Sequence, residues 1–174
     1  MFRHLPFKTL ALAAIVLTTP AAQTYKVTVT YPESPFAGPF TGKVVVYLSQ
    51  FNSSPRFGPA WFGAEPMLIA SFKDIKPGDK MTIESANNEG SKSILAKARA
   101  GTYYIQAVID RNLGGRAIGT SEGNLYSTAK QVQFDRLKDD EIELVCDQTV
   151  TKVPFIETEH VKELRVYSKL LSEF

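Results

Sequence analysis

Apolar and polar residues alternate strictly over Tyr25-Lys-Val-Thr-Val-Thr-Tyr31, which places Tyr25, Val27, Val29 and Tyr31 on one face. A period of two is the mark of a half-buried strand. Gly42-Lys-Val-Val-Val-Tyr-Leu-Ser49 is β-branched and apolar on both faces, so it is expected in the centre of a sheet. A long irregular stretch, Asn52 to Pro66, separates it from a further strand at Met67-Leu-Ile-Ala-Ser-Phe72. The turn Lys76-Pro-Gly-Asp79 leads to Met81-Thr-Ile-Glu84, and Ile94 to Ala98 follows the loop Ala86 to Ser91. Thr102-Tyr-Tyr-Ile-Gln-Ala-Val-Ile109 carries the strongest strand pattern of the chain, while Lys130 to Phe134 and Glu141 to Cys146 alternate and close the set. Short strands punctuated by Pro, Gly and Asn turns, with almost no helical periodicity, predict an all-β fold. An antiparallel, immunoglobulin-like β-sandwich over residues 23–152 is the expected architecture.

The last segment reads two ways. Val161, Leu164, Tyr167, Leu171 and Phe174 form one helical stripe, whereas Leu164 and Val166 alternate as in a strand. It ends in apolar sequence, as a chain cut at a domain boundary does.

Residues 1–22 have a different character. Arg3, His4 and Lys8 precede the apolar run Leu10 to Leu17, which is too short to span a bilayer, and Thr18-Thr-Pro-Ala-Ala22 supplies small residues for cleavage. This is the pattern of a secretory signal peptide, so the protein is expected to be secreted or periplasmic, with no membrane attachment after cleavage. The formal charge of +2 comes from that segment, because the 18 basic residues left after Arg3 and Lys8 balance 18 acidic ones. A neutral body offers no overall attraction to nucleic acid. The single cysteine, Cys146, has no partner within the chain and ends an alternating run, which fits a small buried core residue.

Three motifs invite chemistry. Gly119-Thr-Ser-Glu-Gly123 fits G-x-S-x-G, the turn that presents the nucleophile of α/β-hydrolases. Ser121, with Asp135 or Asp139 and with His160, would supply the residues of a small serine esterase. The strand–turn–helix context is missing, however, so a glycine-rich loop is the preferred reading. Asp110-Arg-Asn-Leu-Gly-Gly115 begins like a calcium loop, with oxygens at Asp110 and Asn112, but its twelfth position is Ser121 and Glu122 falls one place late. Asp110, Asn112 and Glu122 therefore form a possible loop site, against the plainer reading of a hairpin turn. Phe57, Trp61 and Phe62 lie among Gly and Pro and suit packing or interdomain contact better than a ligand platform. No metal-spaced His or Cys set, phosphate loop or dinucleotide fingerprint is present in the sequence, and neither catalytic residues nor a cofactor are expected on this chain.

Trp61-Phe-Gly-Ala-Glu-Pro-Met67, Asp74-Ile-Lys-Pro-Gly-Asp79, Ala100-Gly-Thr-Tyr-Tyr-Ile-Gln-Ala-Val-Ile-Asp-Arg-Asn112 and Glu122-Gly-Asn-Leu-Tyr-Ser127 occur in this order. Together they resemble the N-terminal, immunoglobulin-like region of large secreted bacterial proteins of the esterase type, in which a sandwich precedes an α/β-hydrolase domain. The resemblance implies that residues 153–174 are a linker and the start of that second domain. It also implies that the adjacent hydrolase domain of the same polypeptide is the partner and that the catalytic residues lie beyond Phe174. Ser121 does not occupy that family's nucleophile position. The function implied is accessory: packing on or positioning the catalytic domain. A free-standing exported module for a small ligand, calcium or glycan, built on Asn52 to Pro66 and Asp110 to Glu122, is the alternative.

Overall fold

The computed structural model describes residues 26–58, 65–84, 86–91, 98–115, 117–134, 141–152, 154–164 and 166–173. The signal segment, Trp61, Phe62, Asp135, Asp139 and the Ile94 to Lys97 run lie outside them. Nine strands are described: β1 (Lys26–Thr30), β2 (Phe40–Ser49), β3 (Met67–Ile75), β4 (Met81–Glu84), β5 (Gly101–Asp110), β6 (Leu125–Tyr126), β7 (Lys130–Phe134), β8 (Glu141–Val145) and β9 (Gln148–Thr149). They build two sheets, β4-β1-β8 and β3-β2-β5-β6-β9, with β7 also paired to β5. The protein is an all-β sandwich, as its alternating pattern predicts. One pair departs from antiparallel pairing: β1 and β8 run parallel, with Val27 opposite Ile142 and Val29 opposite Leu144.

The core lies between the sheets. Val27 and Val29 of β1, Met81 and Ile83 of β4 and Leu144 of β8 face Val44, Val46, Leu48, Ile105, Ala107 and Ile109 of the larger sheet. Full burial of each large apolar side chain contributes about 1.5–3 kcal/mol. Tyr31 is also buried, and its single hydroxyl proton is shared between the carbonyls of Ile75 at 2.7 Å and Gly38 at 3.0 Å. The opposite face of the small sheet is polar: Lys26 pairs with Glu141 at 3.1 Å and Lys80 with Glu143 at 3.3 Å. Such exposed pairs contribute little to stability but keep that face wet.

A second, smaller apolar cluster explains why β2 is apolar on both faces. Val45, Tyr47 and Val108 point away from the main core and are buried with Met67, Ile69, Ile118 and Tyr126. Two single-turn 3-10 helices, Pro55–Phe57 and Ile118–Thr120, lie beside this cluster.

Cys146 is buried in the main core, with its Sγ 3.7 Å from the Ala107 carbonyl. Burial, reinforced by the neighbouring Asp147 carboxylate, pushes its thiol far above the ordinary range. Only a thiolate reacts readily with alkylating reagents. Iodoacetamide at pH 8 is expected to leave Cys146 unmodified in the native protein and to modify it fully in urea, as intact mass will register. Rapid native labelling would place the thiol at the surface.

Candidate functional site

The functional candidates gather at one end of the larger sheet, around the loop from Asp110 to Asn124. Asn124 organises it. Fully buried, it receives the Arg111 N–H on Oδ1 at 2.9 Å, and its Nδ2 donates to the Ile118 carbonyl at 2.9 Å and to Asp110 Oδ1 at 3.2 Å. Its backbone carbonyl accepts the Val150 N–H at 2.8 Å, and the Gly123 N–H returns to the Val150 carbonyl at 2.9 Å. One asparagine thus holds both ends of the loop and the strand by which the chain leaves the sandwich.

Asp110 serves that same bracket. Its Oδ1 accepts the Asn112 N–H at 2.9 Å in addition to the Asn124 amide. Asn112 takes φ of 52°, a left-handed conformation that Asn tolerates. The Asp110 and Asn112 pair is therefore an Asx turn, while Glu122 is exposed two residues before Asn124. Among the described residues no group of three His, Cys, Asp or Glu side chains is placed to hold a metal ion. The negative charge of Asp110 also reaches Tyr47, whose hydroxyl is pushed up first by burial and then by that charge.

Ser121 is 8% exposed and donates its hydroxyl proton to the Ala117 carbonyl at 2.6 Å. It has extended backbone, φ −69° and ψ 127°, after the turn Ile118–Thr120. A carbonyl acceptor cannot remove a proton, so this arrangement orders the loop and does not activate the oxygen. A nucleophile of this kind needs a base within hydrogen-bond reach. His160 stands on an exposed turn closed by Thr158 N–H to the Val161 carbonyl at 2.9 Å.

Phe57 belongs to the same end. It follows Arg56, whose guanidinium lies 4.2 Å from the centres of both the Phe57 and Tyr126 rings and donates to the Gly119 carbonyl at 2.6 Å. The Arg56 N–H donates to Gln106 Oε1 at 3.0 Å, and the buried Gln106 Nε2 donates to the Ser127 carbonyl at 2.8 Å. Arginine stacked on aromatic faces contributes about 0.5–2 kcal/mol, more as water is excluded. The first part of the Asn52 to Pro66 stretch therefore folds back on the sheet. Arg56, Gln106 and Asn124 are the residues that pattern reading overlooks; the Gly-Asn-Leu-Tyr-Ser run around Asn124 is the sequence signal closest to them.

Beyond β9 the chain changes environment. Residues 154–164 and 166–168 form neither helix nor strand and are largely exposed, and α1 (Lys169–Ser172) is a single turn capped by Ser168. Ile156, Leu164, Val166, Tyr167, Leu170 and Leu171 are each more than three-quarters exposed. Isolated apolar residues on a surface are ordinary, but six in so short a stretch are not. Comparison with protein-family models, with curated proteins and with solved structures returns no match to this chain.

Proposed function

We propose that this chain is a non-catalytic accessory sandwich of an exported, esterase-like hydrolase, and that residues 154–173 join it to the catalytic domain. The exposed apolar segment carries this reading. Leu164 and Val166, 85% and 78% exposed, are side chains whose burial would stabilise a contact by about 1.5–3 kcal/mol each. Export follows from the sequence pattern of residues 1–22, and the hydrolase partner from the resemblance of the Gly-Thr-Tyr-Tyr and Gly-Asn-Leu-Tyr-Ser runs. The ordered hydrogen bonds of Asp110, Asn112 and Ser121 suit a scaffold loop.

Two measurements test this. An immunoblot of the native source with antibody against residues 23–152 should show a band several-fold larger than the 19.3 kDa of the chain. In the purified chain, deletion of residues 153–174 should leave Tm within about 2 °C, because so few of its side chains are buried. The same deletion should abolish binding of a hydrophobic dye and concentration-dependent self-association. A band at or below 19.3 kDa, together with dye binding that survives the deletion, would remove the basis for the proposal.

A further inference from the structure

We infer that the outer edge of β8 accepts residues 162–169 of a second copy of this chain as an added antiparallel strand. The exchange is reciprocal and closes as a two-fold dimer. It goes beyond the functional reading above and shares with it only the exposed segment.

The two sides of the sandwich treat their edges differently. On one side the loop 86–91 closes both sheets. Asn87 Oδ1 accepts the Glu84 N–H at 2.7 Å and its Nδ2 donates to the Thr82 carbonyl at 2.8 Å, which occupies the edge of β4. On the edge of β3, Asn88 Oδ1 accepts the Ile69 N–H at 2.9 Å and the Glu89 N–H donates to the Ile69 carbonyl at 2.7 Å. Edges filled in this way do not template another chain. On the other side, among the described residues, no strand pairs with the outer edge of β8 or of β7.

The Cys146 N–H donates to the Thr30 carbonyl of β1, so by alternation the backbone groups of Glu141, Glu143 and Val145 point away from β1. Lys130 reaches them, its Nζ donating to the Glu143 carbonyl at 2.6 Å. A lysine on a flexible stem blunts an edge without sealing it. Behind this edge the core is incompletely covered: Ile142 of β8 and Val132 and Phe134 of β7 are only half-buried.

Residues 162–169 fit the edge in pattern and charge. Lys-Glu-Leu-Arg-Val-Tyr-Ser-Lys sets Leu164 and Val166 on one face of a strand and Glu163, Arg165 and Tyr167 on the other. With Arg165 opposite Glu143 in an antiparallel register, Leu164 and Val166 lie beside Leu144 and Ile142 and extend the apolar face. Glu163 then meets Val145 and Tyr167 meets Glu141, so no like charges stand opposite each other. The parallel alternative sets Glu163 against Glu141. Within its own chain the segment does not take this place, since Leu164 and Val166 are largely exposed. From Val150 to Lys162 the chain spans at most about 40 Å, enough to cross to a neighbour. Each copy carries both donor and acceptor, which is the condition for a closed two-fold contact.

Disulfide trapping and sedimentation of the purified chain test this. Glu143→Cys and Arg165→Cys are introduced together; Cys146 is buried and leaves the two new thiols to react alone. Opposite residues of an antiparallel pair have Cα atoms about 4.5–5.5 Å apart, within disulfide reach. Mild oxidation should give a covalent dimer in which peptide mapping joins position 143 to position 165, and the parent chain should sediment as a dimer. Val145→Pro removes an N–H that β1 does not use, and should weaken the dimer about tenfold or more with the circular dichroism of the parent. If that variant loses its fold, the disulfide map alone decides. A 143–165 disulfide confined to single molecules overturns the assignment to a second copy. A chain that is monomeric at every concentration, or self-association undiminished in folded Val145→Pro, overturns the added strand. Neither result touches the size of the native band, by which the functional reading is judged.

Discussion

Replacing Asn124 with leucine should destabilise the sandwich by about 3–4 kcal/mol, which for a body of this size corresponds to a fall in Tm of roughly 10–15 °C. The volume change is small; the cost comes from partners left behind. The Arg111 N–H loses its acceptor, and the Ile118 carbonyl and Asp110 Oδ1 each lose a donor, beside a residue with no solvent exposure. An unsatisfied buried polar group costs about 1–3 kcal/mol. Asn124→Asp keeps the shape but removes both donated hydrogen bonds and sets a second carboxylate beside Asp110. Burial and like charge raise the pKa of the introduced carboxyl in the folded state. Folding then favours its protonated form, so this variant should regain part of its stability as pH falls from 7 to about 5, whereas Asn124→Leu should not. Urea unfolding of both variants at the two pH values measures this. An Asn124→Leu midpoint equal to that of the parent would mean that water replaces the network without loss.

The leucine variant also probes a feature that sequence patterns do not disclose. Alternation locates β1, β4 and β8 because each has one face on the core and one in water. The apolar runs in β2 and β5 likewise mark the centre of the larger sheet, since Val45, Tyr47 and Val108 are covered on the second face. Periodicity has no means of reporting the parallel register of β1 and β8, a pairing between distant segments. Two-residue strands such as β6 and β9 are too short to show a period. Among the described residues of the helical stripe from Val161 to Phe174, only the turn Lys169–Ser172 is helical. A short helix with no surface against which to bury its stripe is marginal in water. In the candidate site, the loop of Asp110 and Asn112 was legible as a turn, but the burial of Asn124 was not. An asparagine between Gly123 and Leu125 reads equally well as an exposed turn residue, and only the fold brings the Arg111 N–H, the Ile118 carbonyl and the Asp110 carboxylate to it.

Gly119→Ala should destabilise the protein by about 3 kcal/mol, a cost in the upper range for overpacking. A Cβ at this position would fall inside the carbonyl group of Arg56, so a backbone segment must move. The segment that can yield is the turn Pro55–Phe57, and displacing it breaks the Arg56 N–H bond to Gln106, the guanidinium bond to the Gly119 carbonyl and the stack on Tyr126. Gln106 is then left buried with its carbonyl oxygen unpaired. Gly114→Ala provides the contrast: φ of 92° costs an alanine about 1–2 kcal/mol, but nothing lies within 4 Å of its Cβ and no neighbour has to shift. Hydrogen exchange should therefore show the Arg56 amide losing protection in Gly119→Ala and keeping it in Gly114→Ala. Because the clash is with backbone, Arg56→Ala should not rescue Gly119→Ala. Rescue would assign the effect to the guanidinium instead. Retention of full stability in Gly119→Ala would show that the turn yields without cost, and would separate Phe57 from the end of the sandwich on which Asn124 and Val150 meet.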